Sequence, residues 1–371
     1  MGSINKTPNF FRHKPLFGFD IGKSSLKVTQ IALSEETKQS KKSNKAKELK
    51  DLKLIGYGAT SFDGTAIEDG VIVQPELIAK AAQDLFKNQL VGDITTDRVA
   101  MAIPSYRTFT RSIQLPVLPA RERAEAVRLE IEQYIPLPIE EMYLDYTIVS
   151  ESDGTTEVLA VAVPKTIVDS YLELAAIMGL EAVLIESTMS AVGRMFSHDQ
   201  QSDVTSLIID FGTVSSDISI YDGGILTTGT VEGGGQVFNN VIQKGLGVSA
   251  SEAAIIKTKY GLSMSKRQKE IETALEPTLE KIVKEVKRLM RYHSEHYGND
   301  RPIQQIITLG GGANMPGLSD YLTSELRLAA RTCDPWRHID LSGLQPPNLS
   351  DRSMYATAIG LSLAPPHGVF K

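Results

Sequence analysis

Two short segments of the chain share a residue pattern that suits phosphate chemistry. Residues 19–25 read FDIGKSS and residues 209–215 read IDFGTVS, each between β-rich stretches. Glycine lets the backbone approach a phosphate, amides and hydroxyls donate to its oxygens, and the aspartates at 20 and 210 can hold a hydrated cation. Asp-x-Gly is also an ordinary hairpin signal, so either segment alone is weak evidence. Together they predict a duplicated fold whose two turns face each other across a polyphosphate.

A third glycine turn follows later in the chain. Residues 307–315 read ITLGGGANM, with consecutive glycines after an expected strand and before an expected helix. A flat ligand can lie against exposed backbone at such a place. None of the three turns matches a Walker P-loop or the dinucleotide-binding G-x-G-x-x-G pattern. Phosphate binding here therefore requires a different architecture.

Apolar periodicity predicts the elements that position these turns. Strands are expected near residues 16–21, 26–33, 54–59, 206–231 and 305–309. Helices are expected near residues 75–90, 165–178, 316–326 and 352–363, and another after a cap at Ser187 or Thr188. A helix-rich block is expected over 235–297. Strands that alternate with helices in this way indicate a mixed α/β fold.

A separate compact unit is expected in the first half of the chain. Strands are predicted over 99–103, 109–115, 143–149 and 158–163, with a helix over 120–135. The helix places Val127 and Ile131 on one stripe and its charged residues elsewhere, as a packing helix requires. The outline of the unit is β-β-α-β-β.

Composition limits the class of protein. The chain has 371 residues, 42% of them hydrophobic, which predicts about two or three domains. The one cysteine, Cys333, favours a reducing compartment, and no apolar run approaches the roughly 20 residues that cross a bilayer. A net charge of -6 gives no general attraction to nucleic acid. The lysine-rich stretch 34–53 is expected to be a mobile loop.

The order of the three turns resembles the two phosphate motifs and the adenosine motif of actin-like ATPases. Within that superfamily, residues 104–146, which begin PSYRTFTRSIQLP, resemble the inserted subdomain of the type IV pilus PilM family. The resemblance implies an actin-like ATPase fold with two ribonuclease-H-like halves around a nucleotide cleft. It implies a first half of 14–96, 165–204 and 340–371, an inserted subdomain of 97–164, a second half of 205–234 and 303–339, and a helical subdomain of 235–302.

The same resemblance assigns ATP and Mg²⁺ as ligands and gives roles to individual positions. Asp20 and Asp210 are implied to lie near magnesium through water. The residues implied to contact phosphates are Gly22, Ser24, Ser25, Lys27, Gly212, Thr213 and Ser215. Those implied to approach the nucleotide at a helix start are Gly233, Gly234 and Gly235. Those implied to border the base or ribose are Lys257, Gly310, Gly311, Gly312, Asn314 and Met315.

The resemblance leaves two points open, namely how the base or ribose is recognised and whether ATP is hydrolysed. Relatives often have a glutamate three residues before the lysine at 257, whereas this chain has Ala254. Glu186 stands where the superfamily has its candidate catalytic glutamate, and a helix-capping acid is the alternative reading. The resemblance therefore implies ATP binding, with at most slow hydrolysis.

The resemblance also implies partners. In the PilM family these are the N-terminal cytoplasmic peptide of the inner-membrane protein PilN and other proteins of the pilus platform or motor. The protein is then expected in the cytoplasm, at the inner face of the membrane and attached to it only indirectly, with homo-oligomers also open.

Three other classes remain as alternatives. One is a filament protein of cell division resembling FtsA, against which the paired prolines of the final LSLAPPHGVFK argue, because FtsA-like proteins end in a basic amphipathic helix. Another is a sugar or acetate kinase, for which no acceptor-binding block is found. Nucleic-acid binding has only the lysine-rich stretch and a basic helix face in its favour, so no nucleic acid is expected.

Overall fold

The computed structural model describes residues 14–33, 52–152, 154–198, 204–298 and 301–364. The strands, in chain order, are β1 (Phe17–Ile21), β2 (Ser25–Leu33), β3 (Leu52–Ser61), β4 (Ile67–Glu68), β5 (Val71–Ile72), β6 (Val91–Gly92), β7 (Arg98–Ile103), β8 (Phe109–Pro116), β9 (Met142–Ser152), β10 (Thr155–Pro164), β11 (Glu181–Ser187), β12 (Ser206–Phe211), β13 (Ser215–Tyr221), β14 (Ile225–Glu232), β15 (Gln305–Leu309), β16 (Ala329–Thr332) and β17 (Ile339–Asp340).

The α-helices, in chain order, are α1 (Pro75–Asp84), α2 (Ala120–Glu132), α3 (Lys165–Ile177), α4 (Thr188–Ser197), α5 (Gly235–Leu246), α6 (Ala250–Lys259), α7 (Gln268–Tyr297), α8 (Leu318–Leu326) and α9 (Ala356–Ser362). Short 3₁₀ turns cover Gly64–Ala66, Ser105–Arg107, Ile139–Glu141, Gly311–Asn314 and Arg352–Tyr355, and a π-helical turn covers Leu85–Gln89.

Two large sheets repeat one strand pattern. The first runs β11-β7-β1-β2-β3, with β17 beyond β3 and β6 also paired to β3; the second runs β16-β15-β12-β13-β14. In each sheet the strand before the Asp-x-Gly turn pairs antiparallel with the strand after it and parallel with a later strand. The internal duplication that the sequence predicts is therefore present at the level of strand pairing.

A shared core joins the two sheets. It contains Leu54 of the first sheet, Ile208 and Ile307 of the second, and Phe196 and Ile359 from helices α4 and α9. Helices α4 and α9 approach so closely that a Cβ on Gly360 would lie 1.9 Å from the carbonyl oxygen of Ala191. The glycine permits this close contact between two helices whose side chains enter the shared core.

The inserted subdomain is a three-stranded sheet, β8-β10-β9, against which α2 packs. Val127 and Ile131 of α2 are buried in its core, as predicted. The first strand of the predicted β-β-α-β-β outline belongs elsewhere, because β7 (Arg98–Ile103) pairs in parallel with β1 and β11 of the first large sheet. The subdomain is thus β-α-β-β, and its chain begins after β7.

The helical block after the second turn contains one long helix with an apolar stripe. In the long helix α7, Leu279, Ile282, Val286 and Leu289 are buried against the second sheet and its helices. Helix α2 ends at Glu132, earlier than the predicted 135, and α8 begins at Leu318, later than the predicted 316.

The expected lysine-rich loop, 34–53, needs one correction. Leu52 and Lys53 belong to strand β3, where Leu52 is buried and pairs with Leu33. Residues 34–51, the first thirteen residues and the C-terminal residues 365–371 lie outside the described part of the chain.

Candidate functional site

One cleft lies where the three glycine turns converge. It has a volume of about 380 Å³. The predicted site residues that line it are Asp20, Gly22, Ser25, Lys27, Asp210, Gly212, Thr213, Ser215, Gly235, Lys257, Gly310, Gly311 and Gly312. Residues nearly 300 positions apart thus meet in one place, as the duplicated sheets require.

The two Asp-x-Gly turns have the same backbone geometry. The amide of Gly22 donates to the carbonyl of Ser25 at 2.8 Å, and the amide of Gly212 donates to the carbonyl of Ser215 at 3.0 Å. The second turn also receives the start of α5, because the amide of Gly235 donates to the carbonyl of Gly212 at 2.8 Å. The amide of Gln236 likewise donates to the carbonyl of Thr213 at 2.8 Å, so the first turn of α5 is fastened to the second turn at the wall of the cleft.

The electrostatics of the two turns differ at one position. In the first hairpin Asp20 lies opposite Lys27, and the Lys27 ammonium donates to the Asp20 carboxylate at 3.0 Å. In the second hairpin Asp210 lies opposite Asp217. Burial, followed by the charges of Asp217 and Asp20, raises the pKa of Asp210 to about 7, against a smaller opposing effect of Lys27. Burial also raises the pKa of Asp217 to about 6, although a hydrogen bond from Thr230 opposes it.

The third turn packs directly on the second hairpin. Gly310 has a φ of 81°, and a Cβ there would lie 2.2 Å from Oδ1 of Asp210. A Cβ on the next residue, Gly311, would meet nothing within 4 Å. Only glycine fits at 310, whereas the backbone of Gly311 borders open space in the cleft.

Lys257 reaches the cleft from α6. Its ammonium donates to the carbonyl of Gly235 at 2.9 Å, and burial lowers its pKa. Asn239, one turn along α5 from Gly235, also lines the cleft, and its Oδ1 is buried without a hydrogen-bond partner among the described residues. Helices α5 and α6 thus place polar groups on the side of the cleft away from the first sheet.

Comparison with known families decides the affiliation. The sequence matches the family model described as type IV pilus assembly protein PilM over residues 18–365. The chain belongs to the PilM family. The resemblance stated from the sequence is therefore confirmed.

Solved structures extend the comparison to the fold. A PilM-PilN type IV pilus biogenesis complex matches with a TM-score of 0.78 and 22% identity, over 94% of this chain and 98% of that chain. EutJ from Carboxydothermus hydrogenoformans matches with a TM-score of 0.52 and 14% identity, over 95% and 91% of the two chains. MreB5 of Spiroplasma citri bound to AMPPNP matches with a TM-score of 0.52 and 14% identity, over 94% of each chain. The predicted actin-like ATPase fold is confirmed.

Some residues that the PilM resemblance assigned do not line the cleft. They are Ser24, Gly233, Gly234, Asn314, Met315 and Glu186. Met315 is buried in the core of the second half, and the Asn314 amide donates to Ser350 and Ser353. Gly234 supports the second turn from behind, because a Cβ there would lie 2.5 Å from the carbonyl oxygen of Gly212.

Glu186 is engaged elsewhere. Its two carboxylate oxygens accept hydrogen bonds of 2.5 and 2.6 Å from Arg194, whose guanidinium also donates to the carbonyl of Gly360. The capping group of α4 is Ser187, whose hydroxyl accepts from the amide of Ser190. The catalytic role of Glu186 stays a prediction, and this ion pair gives the residue a structural role at the junction of α4 and α9.

The cleft also contains residues that sequence reasoning missed. They include Lys23, Tyr106, Tyr171, Thr188 and Asp217. Asp217 could have been found by extending the alignment of the two turns by two residues. At that position the first segment has Lys27 and the second has Asp217. The tyrosines carry no local pattern, since one lies in a connecting segment and the other on α3.

None of the described helices is both long and apolar enough to cross a membrane.

Proposed function

We propose that the cleft binds magnesium-ATP and that the bound nucleotide controls the binding of a partner peptide during type IV pilus assembly. The observation that carries this proposal is the pair of equivalent hairpins, which present two Asp-x-Gly turns to one cleft with a glycine turn beside them. The volume of about 380 Å³ lies within the rough range of 300–1,000 Å³ for ligand pockets.

The residues of the cleft fit a nucleotide. Amides and hydroxyls of Ser25, Thr213 and Ser215, with the ammonium of Lys27, supply donors for phosphate oxygens. The open backbone at Gly311 and the amide and ammonium groups of Asn239 and Lys257 suit a base and ribose. In this proposal Asn239 makes up for the absence of a glutamate at 254.

The carboxylates fit Mg²⁺ rather than a metal held by protein alone. Among the described residues no cluster of three His, Cys, Asp or Glu side chains could hold an ion. Mg²⁺ keeps several waters and binds through one or two carboxylates together with substrate phosphates. Asp20 and Asp210 would hold it through water, and the cation would offset the charge of the buried Asp210. When bound, it would neutralise phosphate charge.

Turnover would depend on residues that orient a water near the terminal phosphate. Thr188 and Asp217 line the cleft, whereas Glu186 would have to leave Arg194 before it could act. We therefore propose nucleotide binding with at most slow hydrolysis.

The proposed partner is the N-terminal cytoplasmic peptide of PilN. Strand β9 is at the edge of the inserted sheet, pairing only with β10 among the described strands, and its Tyr143, Ile148 and Val149 are exposed. An extended peptide can add to such an edge through backbone hydrogen bonds, with apolar side chains giving specificity. The protein would then lie in the cytoplasm and reach the inner membrane through PilN.

Calorimetric titration tests both halves of the proposal. Magnesium-ATP and a peptide copying the PilN N-terminus would each be titrated into the protein, alone and in the presence of the other. We expect both to bind, with a peptide affinity that changes when nucleotide is present. Binding of nucleotide without peptide would remove the pilus-platform part, and binding of neither would contradict the proposal as a whole.

A further inference from the structure

One fully buried phenol faces the cleft without an acceptor. Tyr171, on α3, is 0% exposed and lines the cleft, and its hydroxyl has no hydrogen-bond partner among the described residues. A buried hydroxyl without a partner is costly, so native proteins retain one mainly where something else satisfies it. The core alone would be served better by phenylalanine at this position.

The packing of Tyr171 places it on the first-turn side of the cleft. Tyr171 shares a core cluster with Ile21 and Ile67, which also line the cleft. Burial is the main cause of its raised pKa, and the charges of Tyr106 and Asp20 add to the effect. Asp20 precedes the first turn, and Lys23 of that turn donates to the carbonyl of Ile67, another residue of the cleft wall. Gly310 and Gly311, by contrast, border the cleft from the second sheet. The phenol therefore lies beside the first turn, on the side of the first sheet.

Tyr106 closes the same corner from a different element. It belongs to the segment between β7 and β8, which connects the first sheet to the inserted subdomain. Ser105, next to it, is held by a 2.6 Å contact between its hydroxyl and that of Thr188, which lines the cleft. Tyr106 and Thr188 thus bring side chains with hydroxyl groups to this corner of the cleft wall.

We propose that Tyr171 is a binding residue for the terminal phosphate of a nucleoside triphosphate, and that its hydroxyl donates to an oxygen that a diphosphate lacks. This inference rests on the proposed nucleotide binding and adds to it a preference for ATP over ADP. A neutral donor beside the paired Asp20 and Lys27 satisfies the phosphate without adding another charge to the site.

Helix α3 would carry this preference to the inserted subdomain. Asp169, two residues before Tyr171, accepts a hydrogen bond of 3.0 Å from the hydroxyl of Tyr143 on β9. A shift of α3 on binding the terminal phosphate would therefore act on the strand whose edge is proposed to take the partner peptide.

The test is the substitution Tyr171→Phe, with magnesium-ATP and magnesium-ADP titrated separately by calorimetry. We expect the affinity for ATP to fall about tenfold and the affinity for ADP to change less than twofold. We expect the ligand-free variant to unfold at a temperature about 2 °C higher, because the substitution removes an unsatisfied buried hydroxyl. A structural role for the hydroxyl would lower that temperature instead.

Tyr57→Phe is the matched control. Tyr57 is also buried, but its hydroxyl donates to the carbonyl of Gln345 at 2.7 Å and it does not line the cleft. Its variant should unfold at a lower temperature and keep the wild-type ratio of ATP to ADP affinity. If Tyr171→Phe also keeps that ratio, the inference is overturned while nucleotide binding stands. If the wild-type protein binds neither nucleotide, both the inference and the proposed function fail.

Discussion

The two Asp-x-Gly hairpins have the same backbone geometry but differ in the charge that lies opposite the aspartate. Both close with the same amide-to-carbonyl hydrogen bond, and both lie in sheets with the same strand order. At the position opposite the aspartate, the first hairpin has Lys27 and the second has Asp217. Asp20 is therefore neutralised inside the protein, whereas Asp210 faces another carboxylate.

This difference indicates how two equivalent turns can divide one task. The first hairpin presents a neutral ion pair and hydroxyl donors, which suit phosphate oxygens. The second gathers buried negative charge, which an external cation would stabilise. The duplicated backbone places both turns at one cleft. In the proposed function, the exchange of Lys27 for Asp217 would give each turn its own ligand preference.

The largest expected effect is on stability, where replacing Asp20 and replacing Asp210 should act in opposite directions. Asp20→Asn leaves the buried Lys27 ammonium without its partner and should lower the free energy of unfolding by about 3 kcal/mol at pH 8. Asp210→Asn removes an unneutralised buried charge and should raise it by about 1 kcal/mol. Urea denaturation of the ligand-free variants measures both. If both substitutions changed the free energy of unfolding in the same direction, the proposed difference between the two hairpins would be wrong.

A second difference lies in the strand next to each hairpin. By register, Gly310 beside Asp210 is the counterpart of Ile103 in the first half. Gly310→Ala should cost about 2 kcal/mol or more, because the new Cβ would strike Asp210 and the φ of 81° is strained for alanine. Gly311→Ala is the control and should change stability by less than about 0.5 kcal/mol. Equal tolerance at both positions would contradict the close packing of the third turn on Asp210.

The pH dependence of stability sharpens the comparison further. Asp210 and Asp217 have folded-state pKa values raised to about 7 and about 6, so the folded protein holds protons that the unfolded chain releases near pH 4. The free energy of unfolding of the ligand-free protein should therefore fall as pH rises from 4 to 7, by up to about 1.4 kcal/mol per pH unit for each proton. Thermal and urea unfolding across this range measure the slope.

Asp210→Asn is the matched variant for that slope. It should flatten the upper part of the window, between about pH 6 and pH 7, because Asp210 has the higher pKa. An unchanged slope would assign the bound protons to other groups.

The smallest expected effect concerns Glu186. Glu186→Gln keeps one hydrogen bond to Arg194 but loses the ion pair, which should lower the free energy of unfolding by about 1 kcal/mol. The affinity for magnesium-ATP should change less than twofold, since the residue does not line the cleft. A variant of unchanged stability whose ATP hydrolysis slows would favour the catalytic assignment instead.

The sequence predicted the parts of the site that depend on local pattern. The Asp-x-Gly turns and the Gly310–Gly312 turn needed only glycine, aspartate and the surrounding strands, and all three border the cleft. The place of Tyr171 could not be predicted, because it depends on how α3 packs against elements far away in the chain. The pairing of Glu186 with Arg194 could not be predicted either, because it depends on the angle at which α4 leaves β11. Strand β7 was assigned to the wrong sheet for the same reason, since its partners β1 and β11 are about 80 residues away on either side.

The central claim is that the second hairpin supplies the metal-binding charge of a nucleotide cleft. The most direct measurement is calorimetric titration of ATP into the wild-type protein and Asp210→Asn at pH 8, each with magnesium and with a chelator. We expect magnesium to strengthen ATP binding to the wild type by roughly a hundredfold and to have little effect on the variant. The same magnesium dependence in both proteins would contradict the account.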